Sequence, residues 1–260
     1  MIKGDRMNIY EAIFARKSVR NYYMESLSNQ ILEGIRSYYR TTQGLFGGIE
    51  TDLSIIDNRK GQHRAVGVLG VRAPYYLALY SEEKDRAAMN AGYIMQQMSL
   101  YLCSRGMGSC FVGMTVLKKT LQKKNGKKLF ALLAFGKSKN PHTRKPIEAK
   151  RLDMDELCVY KEVPRVWMKQ LLEAARLAPS SMNAQPWRFV VYDNRIHIFS
   201  KKQRSDRLKK RDELNFGVMF SNMIVVAEEL WLDVDLIRLD EISQKNFPNS
   251  QYVLSAILRP

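Results

Sequence analysis

The chain resembles itself in three places, and in the same order each time. ILEGIRSYYRTTQGLF (31–46) aligns without a gap on LLEAARLAPSSMNAQP (171–186), so that Leu32, Glu33 and Arg36 fall on Leu172, Glu173 and Arg176. MNAGYIMQQM (89–98) aligns on LNFGVMFSNM (214–223), pairing Asn90, Gly92 and Met98 with Asn215, Gly217 and Met223. LFALLAFGK (129–137) aligns on YVLSAILRP (252–260), both apolar and strand-like. The offsets are 140, 125 and 123 residues, falling steadily, as a second copy with shorter loops would give. Two tandem copies are therefore expected, residues 1–160 and 161–260, with the boundary near 155–163.

Period and punctuation then place the elements. Helices are expected at 7–16, 28–40, 84–105, 164–178 and 212–231, and strands at 75–81, 129–136, 188–192, 195–200 and 251–258. Each copy reads as helix–helix–strand–long helix–strand, an α+β arrangement of two small, mostly antiparallel sheets packed with helices. Pro164 suits a first turn and Pro179 a terminator. Both long helices are apolar on more than one face, which suits burial between layers.

Composition narrows the function classes. At 260 residues and 45% hydrophobic, the chain can bury a substantial core. Its longest apolar runs, Phe130–Phe135 and Met223–Ala227, are far short of a membrane helix. The first residues carry no apolar signal core, and three cysteines in no metal or redox spacing fit reduced thiols, so the cytoplasm is the expected compartment. Three isolated histidines speak against a metal site. The formal charge of +16 reads as a solvated basic surface that steers anions. Nucleic-acid binding is not expected, because the basic runs lack interleaved aromatics and no nucleic-acid-binding signature is present.

Two stretches carry chemistry. In ARKSVRNY (15–22) an extended backbone would set Arg16, Ser18 and Arg20 on one face, a fit for a phosphate monoester; an exposed basic turn is the other reading. In LAPSSMNAQPWRFVVY (177–192), Pro179 ends a helix, Ser180 and Ser181 offer hydroxyls and amides, and Asn183 and Gln185 each offer a donor and an acceptor. Such carboxamides read the edge of a planar heterocycle well, or else the loop satisfies itself. There is no GxGxxG between a strand and a helix, and GLFGGIE (44–50) lacks the Lys-Ser/Thr of a phosphate-binding loop.

Together, helix–RKSVR, helix–APSSMNAQPWRFVV and a long helix running into RGMGSCFVGM resemble the FMN-dependent nitroreductase family, and specifically its internally duplicated, single-chain members. The resemblance implies a nitroreductase-like fold with FMN at the interface between the copies. One copy would supply Arg16, Lys17, Ser18 and Arg20, and the other Pro179, Ser180, Ser181, Asn183 and Gln185. It also implies Phe111, Gly113 and Met114 against the flavin's reactive edge, Arg144 of HTRKP (142–146) at the phosphate, and Gly70 near the pyrimidine ring. Phe111 stands where the family more often has Trp.

The first copy has Tyr39, Arg40, Thr41, Gln43 and Leu45 where the second has Pro179, Ser180, Ser181, Asn183 and Gln185, and CVYKEVPR precedes the helix at 164 in place of an RxSxR. One intact and one degenerate FMN site per chain are expected. The activity implied is ping-pong reduction of nitroaromatics, quinones or similar electron-poor small molecules with NADH or NADPH. Positive charge near N1–O2 and a backbone N–H near N5 would assist the flavin, and no side chain serves as catalytic acid or base. A flavin-binding sensor or carrier without efficient turnover is the alternative. The expected particle is a monomer acting as an internal pseudo-dimer, with neither nucleic acid nor membrane as partner.

Overall fold

Local capping starts the helices where the chain needs them. The computed structural model describes residues 7–61, 71–112, 121–203 and 205–259. Helix α1 (Ile9–Ala15) opens on a capping box, Asn8 and Glu11 each accepting the other's backbone N–H. Helix α2 (Asn29–Thr41) is capped by Ser28. Strands β1 (Thr51–Asp57) and β2 (Tyr75–Ser81) follow, then the long helix α3 (Ala87–Ser104), β3 (Gly108–Phe111), β4 (Lys123–Lys124) and β5 (Lys127–Gly136). The chain continues through α4 (Met154–Leu157), β6 (Cys158–Tyr160), α5 (Val166–Leu177), β7 (Trp187–Val191) and β8 (Arg195–Lys201). The long helix α6 (Asp206–Glu229), β9 (Asp233–Ile237), α7 (Asp240–Ser243) and β10 (Ser250–Arg259) complete it.

The strands form two sheets, ordered β1-β2-β5-β3 (with β4 on β5) and β6-β7-β8-β10-β9. All pairings are antiparallel except β6 on β7. The order β1-β2-β5-β3 of one sheet parallels β7-β8-β10-β9 of the other, while β4 and β6 have no counterpart. The β3–β5 register Gly108↔Gly136 to Phe111↔Leu133 has its counterpart in Asp233↔Arg259 to Leu236↔Ala256 of β9–β10. Both sheets also carry a register shift at the same place. Phe130 is the extra residue between Leu129 and Ala131 of β5, and Val253, its aligned partner, is the extra residue in β10.

A single core spans both sheets and the helices between them. Strand β2 is buried at every residue: Tyr75, Leu77 and Leu79 face that core, while Tyr76, Ala78 and Tyr80 face a smaller cluster with Val19, Tyr22 and Leu132. Fifteen of the 18 residues of α3 are buried, so it packs all round rather than along one stripe. It lies directly on α6. A Cβ on Gly92 would collide with the Leu214 carbonyl oxygen, and one on Gly217 with the Met89 carbonyl oxygen. Only glycine permits that approach.

The expected elements are present, with corrections. Five strands escape the pattern reading: β1, whose TDLSIID carries aspartates at 52 and 57; the short β3, β4 and β6; and β9, an edge strand with Asp233, Asp235 and Ile237 exposed. Charge on an edge strand opposes further pairing and also hides it from a hydropathy scan. Helix α6 starts at Asp206 rather than 212, because Ser205 caps it within what reads as a basic run. The two strands expected at 188–192 and 195–200 are β7 and β8, and the short α4 and β6 lie ahead of α5. Pro164 precedes the N-cap, Arg165, instead of sitting in the first turn. No described helix is long and apolar enough to cross a membrane.

Candidate functional site

The extended segment after α1 is held along the edge of the first sheet. Val19 donates its N–H to the Ser109 carbonyl at 2.9 Å, Ser18 bridges Ser109, and Arg16 bridges Thr143. The Arg144 N–H in turn reaches the Ala15 carbonyl at 2.8 Å. Beyond them, the Tyr22 hydroxyl donates to the Val19 carbonyl at 2.5 Å, closing the turn. The RKSVR segment and the HTRKP segment, far apart in sequence, are thereby laid side by side.

This placement sinks Arg16 into the protein: only 5% of its surface is exposed. Its Nε donates to Ser99 Oγ at 2.7 Å, and Ser99 Oγ is 2.8 Å from Ser109 Oγ. Its Nη2 is buried with no partner. Among the described residues no carboxylate forms an ion pair with it. Two more guanidinium groups lie close by. Arg144 and Arg151 each have a buried, unpartnered Nε. Burial pushes the Arg16 and Arg144 side chains below the ordinary arginine value, and Arg144 adds like-charge repulsion on Arg16. Arg151 is pushed down to about 10 by burial first and then by Arg144, Arg16 and Arg176. Glu148 partly offsets the charge of Arg144, but among the described residues none of the three arginines forms an ion pair, and each keeps an orphaned buried N–H of the kind an anion satisfies.

Arg151 joins this cluster to the second stretch. Its Nη2 donates to the Leu177 carbonyl at 3.1 Å, one of the carbonyls freed where α5 stops before Pro179. Its Nη1 donates to Asn183 Oδ1 at 2.9 Å. Asn183 Nδ2 returns a bond to the Lys150 carbonyl at 3.0 Å, and Gln185 Oε1 accepts the Leu152 N–H at 2.9 Å. The two carboxamides thus grip the chain on either side of Arg151. Ser180 Oγ accepts the Gln185 N–H at 2.9 Å. Met182, Asn183 and Gln185 all have positive φ, a tight coil paid for by these bonds.

The structure therefore brings Arg16 and Arg144 together and ties Asn183 and Gln185 to the same cluster through Arg151. Ser18 and Lys17 are half-buried beside it, while Arg20 is exposed; the expected single face of Arg16, Ser18 and Arg20 breaks at its last member. Phe111 ends β3, half-buried. Pro179, Ser180 and Ser181 are half-buried in the loop. Gly70, Gly113 and Met114 lie outside the described residues. Sequence reading missed Arg151, which stands in a plain Lys-Arg pair; the uncapped C-terminus of α5 was the available hint. Among the described residues no group of three or more His, Cys, Asp or Glu side chains could hold a metal.

Comparison with known proteins agrees with this architecture. The family model described as "Putative TM nitroreductase" matches residues 8–227. A solved structure described as a "putative nitroreductase" from Thermotoga maritima MSB8 aligns over 100% of this chain and 98% of its own, with TM-score 0.66 and 18% identity. A nitroreductase family protein from Clostridium difficile 630 aligns over 60% of this chain and 100% of its own (TM-score 0.47, 17% identity). A nitroreductase with bound FMN from Desulfitobacterium hafniense DCB-2 covers 56% of this chain and 100% of its own (TM-score 0.43, 15% identity). No curated protein matches. With the family model matched over most of its length and the Thermotoga fold shared from end to end, the chain belongs to the nitroreductase family.

Proposed function

We propose that the protein is an internally duplicated FMN oxidoreductase that binds one FMN per chain between its two halves, residues 1–160 and 161–260. NADH or NADPH is the donor, and nitroaromatics, quinones or similar electron-poor molecules are the acceptors. The observation that carries this reading is the arginine cluster: buried Arg16 and half-buried Arg144 and Arg151, each with a buried, unpartnered nitrogen, on a nitroreductase fold, fitting a phosphate monoester. Arg16 and Arg144 come from the first half, as does Arg151, whose carbonyl and carboxamide partners come from the second.

The duplication is supported by the matched sheet registers and by the repeated bulge. It is supported again by the helix contact. Gly92 abuts Leu214 and Gly217 abuts Met89, and the repeat alignment carries the one pair onto the other. A residue touching its partner's equivalent, and the reverse, is the mark of a two-fold interface, here within one chain.

FMN, when bound, supplies the two-electron chemistry. The residues of this chain do the rest. Arg16, Arg144 and Arg151 hold the phosphate, with Ser18 and Lys17 alongside. Each charge-assisted contact contributes about 1.5–3 kcal/mol. Pro179, Ser180 and Ser181 line the second half's side, Asn183 and Gln185 fix Arg151, and Phe111 stands at the edge from which Gly113 and Met114 follow. Gly70 and the exposed Arg20 complete the proposed set from their sequence positions. The buried, unpaired Cys103, Cys110 and Cys158 fit a cytoplasmic enzyme.

The visible spectrum of the purified protein tests this reading. An oxidised-flavin absorbance equal to about one FMN per chain, bleached by NADH or NADPH and restored by a quinone, is expected. A colourless protein that takes up no FMN contradicts it, and bound flavin that neither donor bleaches points to the sensor or carrier.

A further inference from the structure

The two halves differ at one buried acid, and the difference falls where the site is kept. On α6, Asn215 Oδ1 accepts the Ser181 N–H at 2.9 Å. On α3 its aligned partner, Asn90, does the same for the Phe46 N–H at 3.3 Å. Each long helix therefore uses an asparagine to hold the loop that follows the preceding amphipathic helix. The other end of the carboxamide is treated differently. Asn215 Nδ2 donates to Asp212 Oδ1 at 3.4 Å, one helical turn back. Asn90 Nδ2 is buried with no partner, because Ala87 occupies the aligned position.

Asp212 is only 3% exposed. Its Oδ2 accepts Gln203 Nε2 at 2.8 Å, and Arg211 lies 3.3 Å from its Oδ1. A carboxylate only accepts, so it fixes which end of the Asn215 amide faces it. The amide nitrogen turns to Asp212 and the oxygen to Ser181. We infer that Asp212 is a positioning residue for the anion site, acting through Asn215 on the Ser180–Gln185 loop. From that loop Asn183 and Gln185 carry the order on to Arg151. Asp212 touches neither anion nor cofactor. The relay is complete in the half whose loop retains Pro179, Ser180, Ser181, Asn183 and Gln185, and broken in the half whose loop has lost them. The inference rests on the proposed FMN site only for its consequence; the relay stands in the protein without ligand.

Two measurements test it. Amide hydrogen exchange of the ligand-free protein reads the relay directly. Asp212→Ala should speed exchange at the Ser181 N–H about tenfold, as Asn215→Ala does, and Ala87→Asp should slow exchange at the Phe46 N–H. Unchanged protection of Ser181 in Asp212→Ala overturns the relay. Titration of the apoprotein with FMN, followed by flavin fluorescence, then reads the consequence. Asp212→Ala and Asn215→Ala should each raise Kd about tenfold, and the double variant should bind no worse than Asn215→Ala alone. Additive losses, or an unchanged Kd in Asp212→Ala, overturn the positioning role. Asp212→Asn, which keeps an acceptor, should retain most of the affinity even if Asp212→Ala folds poorly; a loss as large as that of Asn215→Ala contradicts the inference. A wild-type protein that binds no FMN refutes the flavin reading alone, and the exchange result then decides the relay.

Discussion

The loop after α2 and the loop after α5 leave aligned helices and enter aligned strands, yet they have become different objects. The first, through GLFGGIE, is held by Asn90 and overlain at Phe46 by the Arg86 guanidinium, 5.0 Å from the ring centroid. The second is coiled through three positive-φ residues and bonded into the segment that carries Arg151. The sheets behind them hold the same register, down to one bulge. Backbone scaffold and loop chemistry are thus separable: the two sheets share a register while the two loops differ, and under the proposed function an anion demands only the second loop.

The shared scaffold gives the largest expected effect. Gly92→Ala and Gly217→Ala each force a methyl into the opposing backbone and should each destabilise by about 3 kcal/mol or more, read by thermal melting. Unequal costs would break the reciprocity. Gly47→Ala, with open space around it, should cost little.

Next come the cations that separate the two loops. Arg16→Ala, Arg144→Ala and Arg151→Ala should each weaken FMN binding by about 1.5–3 kcal/mol, roughly 10- to 150-fold in Kd. Asn183→Ala should follow through Arg151, although it lies in the other half. Arg40→Ala, at the aligned site in the first half, removes an exposed pair with Glu33 and should leave FMN binding unchanged. If Arg40 matters as much as Arg16, the two loops are not functionally distinct.

The smallest effect lies at the ends of the long helices. After α3, Gly106 takes the left-handed position with φ 78°; after α6, the aligned Trp231 takes it with φ 55° and 91% of its surface exposed. Both ends close with the same backbone bonds, Met107 to Leu102 and Leu232 to Ala227. Trp231→Gly should stabilise by about 0.5–1 kcal/mol in a denaturant titration. A loss of stability would mean that the indole earns its place by contacts.

How much of this was legible in the sequence varies with the kind of signal. The long helices could be read because burial on all sides writes an apolar pattern. Strands β1 and β9 could not: their aspartates lower the hydropathy of short segments, even though β9 alternates exposed and half-buried residues. The early start of α6 was masked by lysines, although Ser205 is an ordinary cap. At the site, Arg16, Arg144 and the PSSxNxQ loop were legible as a family pattern. The partners of Asn183 and Gln185 were not: single residues do not say whether a carboxamide faces a ring or a neighbouring backbone, and here both face the 150–152 segment. Arg151 and Asp212 act through tertiary contacts that carry no spacing of their own.

The claim that one polypeptide builds the whole site is tested most directly by native mass spectrometry of the purified protein with FMN. The account predicts a single chain carrying one FMN, with the flavin lost from Arg16→Ala and from Asn183→Ala alike. Flavin retained only by two-chain species, or two flavins on one chain, would contradict it.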